Sequence, residues 1–397
     1  MALRKLGSGR RRARTGSILS SGIPQVCILM ETSRAFGRNV IRGICNYAKA
    51  NGPWNFTLQP GDFDQSLPPR NTWRLDGVIG RISTPELARE VRARNIPVVP
   101  LEPGPYSGDR WVSTNTQHVC AMAFEHLRDR GFNRFAFYGR HTYWGIDRRD
   151  AFSAIVGQAG FTCEIFSVDA GSKIPEQAQL AAWLAKLTKP IGLMAQDDLA
   201  AREVIDLCRV DGIAVPEEIA VIGVDDDELI CSIASPTLSS IALNAERVGF
   251  EAAAVLDRLF HGRKPQEHVF VDPIGVTMRQ STDTLSIDDP LVAKSVRLIR
   301  AHAHEGLTVR DLVKQVLVSR RTLELKFLRS VGRGPHEEIQ RVQLQHAKEL
   351  LIGTDMKISS VARTSGFNYV EYMHRVFKQQ LDQTPTEFRK ANRPFAH

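Results

Sequence analysis

The sequence predicts an α/β core of two doubly wound parallel sheets, followed by an all-α C-terminal domain with two helix-turn-helix motifs. Three observations lead there. Short apolar runs alternate with amphipathic helical patterns through residues 23–280, the βαβ rhythm of parallel sheets covered by helices. From residue 291 onward the apolar spacing is helical, without strand-like alternation. Charge divides at the same place: residues 290–397 hold 19 Lys and Arg against 10 Asp and Glu, whereas residues 17–289 hold 27 against 34.

A chain of 397 residues has room for two or three domains. Hydrophobic residues make up 43% and charged residues 24%, which excludes wholly disordered and collagen-like classes. No uncharged apolar run reaches the roughly 18 residues of a membrane span. The nearest, 16–30, is interrupted by Pro24 and Gln25 and lacks a cleavage site, so the protein is read as cytoplasmic with no membrane partner. Cys27, Cys45, Cys120, Cys163, Cys208 and Cys231 form no CxxC pair and are expected as buried thiols. Arg4, Lys5, Arg10, Arg11, Arg12 and Arg14 make residues 1–22 a basic, disordered arm.

In the first body, strands are expected at 26–30, 77–82, 98–101, 135–138, 164–168, 192–195 and 219–224, with helices at 38–50, 85–94, 119–130, 149–157, 178–187, 199–210 and 247–259. So many units exceed one sheet. Two lobes in tandem accommodate them, and a ligand of such sheets binds outside the carboxyl ends of the strands, here in the crevice between lobes. Polar groups follow three of these strands: Gln196, Asp197 and Asp198; Asp225, Asp226 and Asp227; and a loop leading to Arg148 and Arg149. An ionised Asp accepts two hydrogen bonds and a guanidinium donates a planar fork, a combination suited to a neutral ligand with adjacent hydroxyls. Each has a plainer reading, as a helix N-cap or a surface ion pair. The acidic run leaves a further alternative, a metal-dependent sugar-phosphate enzyme using Asp225 and Asp227. No Gly-rich phosphate loop, nucleophile elbow or spaced ligand set accompanies it. The chain is therefore read as a non-enzyme with no catalytic residue, no metal and no cofactor.

The segments VPEEIAVIGVDD (215–226), SPTLSSI (235–241) and QDDLAAREV (196–204) resemble the effector-binding core of bacterial sugar-responsive repressors of the lactose and galactose type. Those cores are themselves similar to periplasmic sugar-binding proteins. The resemblance implies that Arg148, Asp197 and Asp225 grip sugar hydroxyls and that Phe36 covers the sugar ring from the first lobe. It also leaves open a sugar-binding protein without a regulatory role. The repressors carry their DNA reader before this core, whereas only the basic arm precedes it here.

A polar run, 281–290, is expected as a linker to the second body, 291–397. There, Thr308 can cap a helix over 309–316, and Ser319 a second over 320–329 whose Leu323 and Phe327 share a face. The pattern recurs at 358–364 and 368–380 with Met373 and Phe377 inward, and a longer helix, 335–351, lies between. In a helix-turn-helix the second helix enters the major groove, and a basic body suits a polyanion. Arg320, Arg321 and Glu324 on the first reader, and Asn368, Glu371 and Arg375 on the second, are the candidate base-reading residues. Lys326, Arg329, Arg341 and Lys378 are expected as phosphate contacts or surface charge.

The closing phrase GFNYVEYMHRVFKQQLDQTPTEFRK (366–390) is similar to the signature of arabinose-regulator-type activators, with Met373, Asp382 and Leu325 as departures. With the order of the two bodies and the phrase GFNRFAFYG (131–139), the chain resembles the bacterial xylose-operon activators over nearly its whole length. That resemblance implies a homodimeric activator whose effector is D-xylose or a related sugar, whose partners are promoter DNA and RNA polymerase, and whose sugar repositions the DNA-binding domains. Arg81 stands where those activators carry an acidic residue, leaving a more acidic sugar open.

Overall fold

A computed structural model describes residues 22–58, 66–69, 74–108, 110–168, 174–263, 268–283 and 289–392. Residues 1–21 of the expected basic arm lie outside the described residues, as do 284–288 of the expected linker. The chain falls into two compact units. One comprises Met1–Thr32, Ile41–Val112 and Gly249–Val269, the other Ser33–Val40, Ser113–Val248 and Phe270–His397.

The first unit holds a four-stranded parallel sheet of order β2-β1-β3-β4, made by β1 (Gln25–Leu29), β2 (Asn55–Leu58), β3 (Gly77–Gly80) and β4 (Val98–Pro100). Helix α1 (Ala35–Asn51) connects β1 to β2, and α2 (Pro85–Arg94) connects β3 to β4. β1 and β3 read as continuous apolar runs because helices cover both faces of a parallel sheet. Cys27, Leu29, Val78, Leu87 and Val91 form the core between sheet and α2. Thr84 starts α2 by accepting from the Leu87 N–H at 3.1 Å, with Pro85 at the position where no N–H is needed.

In the second unit the sheet has six strands, in the order β12-β10-β9-β8-β6-β7. After β4 the chain runs through β5 (Trp111–Thr114), α3 (Thr116–Arg128), β6 (Phe135–Tyr138), α4 (Tyr143–Gln158), β7 (Cys163–Ile165), α5 (Glu176–Lys186), β8 (Ile191–Ala195), α6 (Asp198–Val210), β9 (Ile219–Val224), α7 (Glu228–Ile233), β10 (Ser239–Ala242), α8 (Ala245–Phe260), β11 (His268–Val271) and β12 (Gly275–Thr277), with Gly249–Val269, which holds most of α8, belonging to the first unit. Within the six-stranded sheet β12 runs antiparallel to β10 and the other pairings are parallel, while β5 pairs with β11 separately. The βαβ rhythm was legible, whereas β2, β5, β10, β11 and β12 were not; β2 and β11, for example, are partly exposed and lack the buried apolar run that marked β3 and β6. The six cysteines are free, and burial pushes Cys27, Cys120 and Cys208 up to about 12.

The polar run expected as a linker opens inside this unit's core. Ser281 and Thr282 are fully buried. The Ser281 hydroxyl donates to the Val221 carbonyl at 2.6 Å and that of Thr282 to Ser239 Oγ at 2.7 Å. Polarity misled here because these hydroxyls find partners on β9 and β10.

The C-terminal region is all helical: α9 (Pro290–His302), α10 (Val309–Val316), α11 (Arg320–Val331), α12 (Pro335–Gly353), α13 (Ile358–Thr364), α14 (Val370–Leu381) and α15 (Pro385–Asn392). One cluster, with Leu312, Leu323 and Phe327, packs the first motif, α10 and α11; a second, with Val361, Met373 and Phe377, packs the other, α13 and α14. Both turns require a left-handed residue. Gly366 supplies it in the second motif, where a Cβ would stand 2.1 Å from the Ala303 carbonyl oxygen. In the first, Leu317 takes φ 56° while 88% exposed. Asp382 is left-handed at the end of α14, and its carboxylate pairs with Lys378 at 2.9 Å.

Two carboxylates and two guanidiniums form a buried box between α3 and α12. Asp129, at the end of α3, and Glu338, on α12, are both 0% exposed. Arg341 reaches Asp129 Oδ2 at 2.6 Å and Glu338 Oε1 at 3.0 Å; Arg333 pairs with Asp129 and donates to Glu338 Oε2 at 2.7 Å. Arg341, half-buried, is therefore tied to two buried carboxylates, and Lys326 and Lys378 also have carboxylate partners, Asp289 and Asp382. The spacing of charges on single helices did not reveal partners so far away in the chain.

Two outcomes follow from these local features. Leu317→Asn should raise stability by about 1 kcal/mol in chemical unfolding, because Asn tolerates the left-handed region and the exposed Leu side chain loses little packing; no gain would mean the turn is unstrained. Burial alone would raise the Glu338 carboxyl, but Arg341 and then Arg333 hold it down to about 2. Such a carboxylate stabilises the fold above about pH 4.5 and loses that contribution as pH falls toward about 2. Glu338→Gln should accordingly cost about 3 kcal/mol at pH 7, with the gap from the parent narrowing in urea titrations at pH 4 and below. A gap independent of pH would contradict this account.

Candidate functional site

The carboxyl ends of β6, β8 and β9 gather the polar residues that the second unit presents. Asp197 follows β8 and begins α6, its Oδ1 accepting from the Ala200 N–H at 2.9 Å, so the plain N-cap reading holds. Its other oxygen does more. Asp197 Oδ2 pairs with Arg34 Nη1 at 3.0 Å and accepts from Gln196 Nε2 at 3.3 Å. Arg148, on α4 and 5% exposed, donates through Nη1 to the Gln196 carbonyl. Gln196, itself 3% exposed, accepts from the Arg140 N–H at 2.8 Å, tying the loop after β6 to the end of β8.

After β9, Asp225 has φ 109° and Asp226 φ 52°. Non-glycine residues in that half of the map cost about 1–3 kcal/mol each and persist where surrounding structure holds them. The holding groups are visible. Asp226 pairs with Arg279 at 2.8 Å and accepts from the Thr277 hydroxyl at 2.6 Å. The Asp227 N–H donates to Asp198 Oδ2 at 2.7 Å, and Asp198 Oδ1 accepts from the Ser240 hydroxyl at 2.5 Å. Burial, then the charge of Asp225, pushes the Asp198 carboxyl well above the ordinary carboxylate range. Asp198 thus sets the turn that carries Asp225.

The start of α1 belongs to the same constellation. The Ala35 N–H donates to Asp227 Oδ2 at 2.8 Å, and Arg38 lies 3.6 Å from that oxygen. Phe36, 8% exposed, sits between them in sequence at the start of α1, the helix that joins β1 to β2, although the segment Ser33–Val40 groups with the second unit. The reason is electrostatic: Arg34 and Arg38 face Asp197 and Asp227. Sequence reading missed both arginines; their signal was a four-residue spacing at the helix start directly after an apolar strand. Among the described residues, no group of three or more His, Cys, Asp and Glu could hold a metal ion, and no helix is long and apolar enough to cross a membrane.

The first unit has its own strand-end cluster. Arg81, after β3, reaches Glu31 Oε1 at 2.5 Å and Glu102 Oε2 at 3.5 Å. Its positive charge is thereby met by two carboxylates of the same unit.

On the first reader helix, α11, Ser319 accepts from the Thr322 N–H at 3.1 Å. Arg320 and Glu324 pair with each other at 2.8 Å on the exposed surface, while Arg321 is exposed beside them. In the second motif, Asn368 lies two residues before α14, outside the helix expected to include it, because Tyr369 is extended. Glu371 and Arg375 are exposed on the helix, with the Arg375 guanidinium 4.9 Å from the Tyr372 ring centre.

Comparison with known proteins matches three parts of the chain in order: a XylR N-terminal domain at 25–113, a periplasmic binding protein-like domain at 124–282 and a helix-turn-helix domain at 312–391. The xylose operon regulatory protein of Haemophilus influenzae is 30% identical over 379 residues, covering 92% of this chain and 98% of its own. That of Escherichia coli K12 is 30% identical over 382 residues, covering 93% and 97%. A solved structure of the xylose-binding transcription activator XylR aligns with a TM-score of 0.59 at 29% identity, covering 94% of this chain and 99% of the other. With two strand-end polar clusters on parallel sheets, paired helix-turn-helix motifs behind them and this correspondence along almost its whole length, the chain belongs to the xylose operon regulatory proteins and is a transcription regulator with a C-terminal DNA-binding domain.

Proposed function

We propose that this protein senses a neutral pentose, D-xylose or a close relative, and that the bound sugar changes how its C-terminal helices occupy promoter DNA. The observation that carries the proposal is the strand-end set of the second unit: the buried Arg148 on α4, the buried Asp197 after β8, and the half-buried, strained Asp225 after β9. Paired guanidinium and carboxylate groups match the donors and acceptors of adjacent hydroxyls, with Phe36 as the apolar surface for the ring. Arg81 favours a neutral ligand over a sugar acid, since Glu31 and Glu102 already answer its charge.

In this reading the protein acts in the cytoplasm as a homodimer, with RNA polymerase as the partner that the DNA-bound form recruits. Sugar biases promoter occupancy only by its differential affinity for the protein's two arrangements, a coupling of about 1–3 kcal/mol. Arg320, Arg321, Glu324, Asn368, Glu371 and Arg375 are proposed to face the bases.

Thermal unfolding of the full chain tests the effector. D-xylose at about a hundred times its Kd should stabilise by about 2.7 kcal/mol, D-xylonate should give a smaller shift, and Asp225→Asn should abolish the response. A melting temperature indifferent to millimolar D-xylose would remove the pentose from this account. For the reader helices, Arg375→Ala should cost about 1–3 kcal/mol on the preferred site and relax selectivity at one base pair, measured by competition among single-base variants. An equal loss on every sequence would mark Arg375 as a backbone contact.

A further inference from the structure

The two reader helices present different chemistry at equivalent places. Leu323 and Phe327 are the buried anchors of α11, and Met373 and Phe377, fifty positions later, are those of α14. This register places Arg321 opposite Glu371, Leu325 opposite Arg375 and Leu328 opposite Lys378. The outer stripe of α14 is charged throughout. That of α11 carries two leucines, 49% and 58% exposed, at the i, i+4, i+7 spacing that puts residues 321, 325 and 328 on one face.

We infer that the first reader recognises thymine methyl groups through Leu325 and Leu328, while the second reads hydrogen-bonding base edges. The inference rests on the DNA-reading function proposed above for α11. A leucine can neither donate nor accept, and the one apolar feature of the major-groove edge is the C5-methyl of thymine. The nearby hydrogen-bonding groups are engaged with one another: Arg320 pairs with Glu324 at 2.8 Å, and Lys326 pairs with Asp289. Charge identifies the occupant as nucleic acid rather than an apolar protein surface. Arg329 follows the leucines on the same helix, and Arg310 and Lys314 lie on α10 before it, a positive rim suited to phosphates.

The test uses the full chain with D-xylose present. A duplex enriched from a random-sequence pool is resynthesised with deoxyuridine replacing thymidine at one position at a time, which removes only the methyl. One or two positions should lose affinity by about fourfold each, the value of burying one methyl-sized group. The penalty should disappear in Leu325→Ala or Leu328→Ala, both surface changes that leave the buried anchors in place. Tolerance of deoxyuridine everywhere, or a penalty unchanged in both variants, overturns the inference. Failure to enrich any sequence would instead overturn the DNA-reading function beneath it.

Discussion

The link between the effector-binding core and the DNA-reading helices within the second unit rests on two carboxylates taken out of water and answered by two partly buried guanidiniums. Asp129 and Glu338 are fully buried, and each would be intolerable there alone, because an unpaired carboxylate loses its hydration without replacement. Arg333 and Arg341 each touch both carboxylates, so the four groups neutralise one another only when α3 and α12 are in register. Arg300 adds a hydrogen bond at 3.0 Å to the Asp129 carbonyl at the end of α3. Apolar packing would accept a sliding interface; paired buried charges do not, since a displacement of a few ångströms leaves one unpaired.

This has a consequence for how a sugar signal travels. α3 packs beside α4, the helix that carries Arg148, and the Cys120 thiol on α3 lies 3.4 Å from the Arg148 carbonyl. The same α3 ends at Asp129. One helix therefore stands between Arg148 and the box, a short physical connection rather than a diffuse one.

The strand-end site shows a division of labour among its aspartates that their run in sequence conceals. Asp226 and Asp227 bind arginines and backbone, Asp198 is buried beneath the turn, and Asp225 is held in a strained conformation. Of the three consecutive acidic residues, two are thus committed to arginine partners. The metal-dependent alternative treated Asp225 and Asp227 as equivalent, whereas Asp227 accepts from the Ala35 N–H and lies beside Arg38.

Much of this was legible in the linear order of residues. Apolar periods of two kinds marked the α/β core and the helical tail, and the acidic and basic halves of the chain marked where one gives way to the other. Asp197 was legible at the end of β8 because a short apolar run, then a polar residue, then a helical period is a local signal, whereas Arg148, expected on the loop before a helix at 149–157, lies inside α4, which begins at Tyr143. The local chain also determined the caps at Thr308 and Ser319 and the left-handed turn at Gly366. Tertiary structure alone decided that Arg34 answers Asp197 across 163 residues, that Arg341 answers the buried Asp129, and that Ser281 and Thr282 belong to a core. Periodicity and capping act within a few residues, so the chain carries them openly. The partner of a charge is chosen by which elements fold against each other, and no spacing along the sequence records that choice.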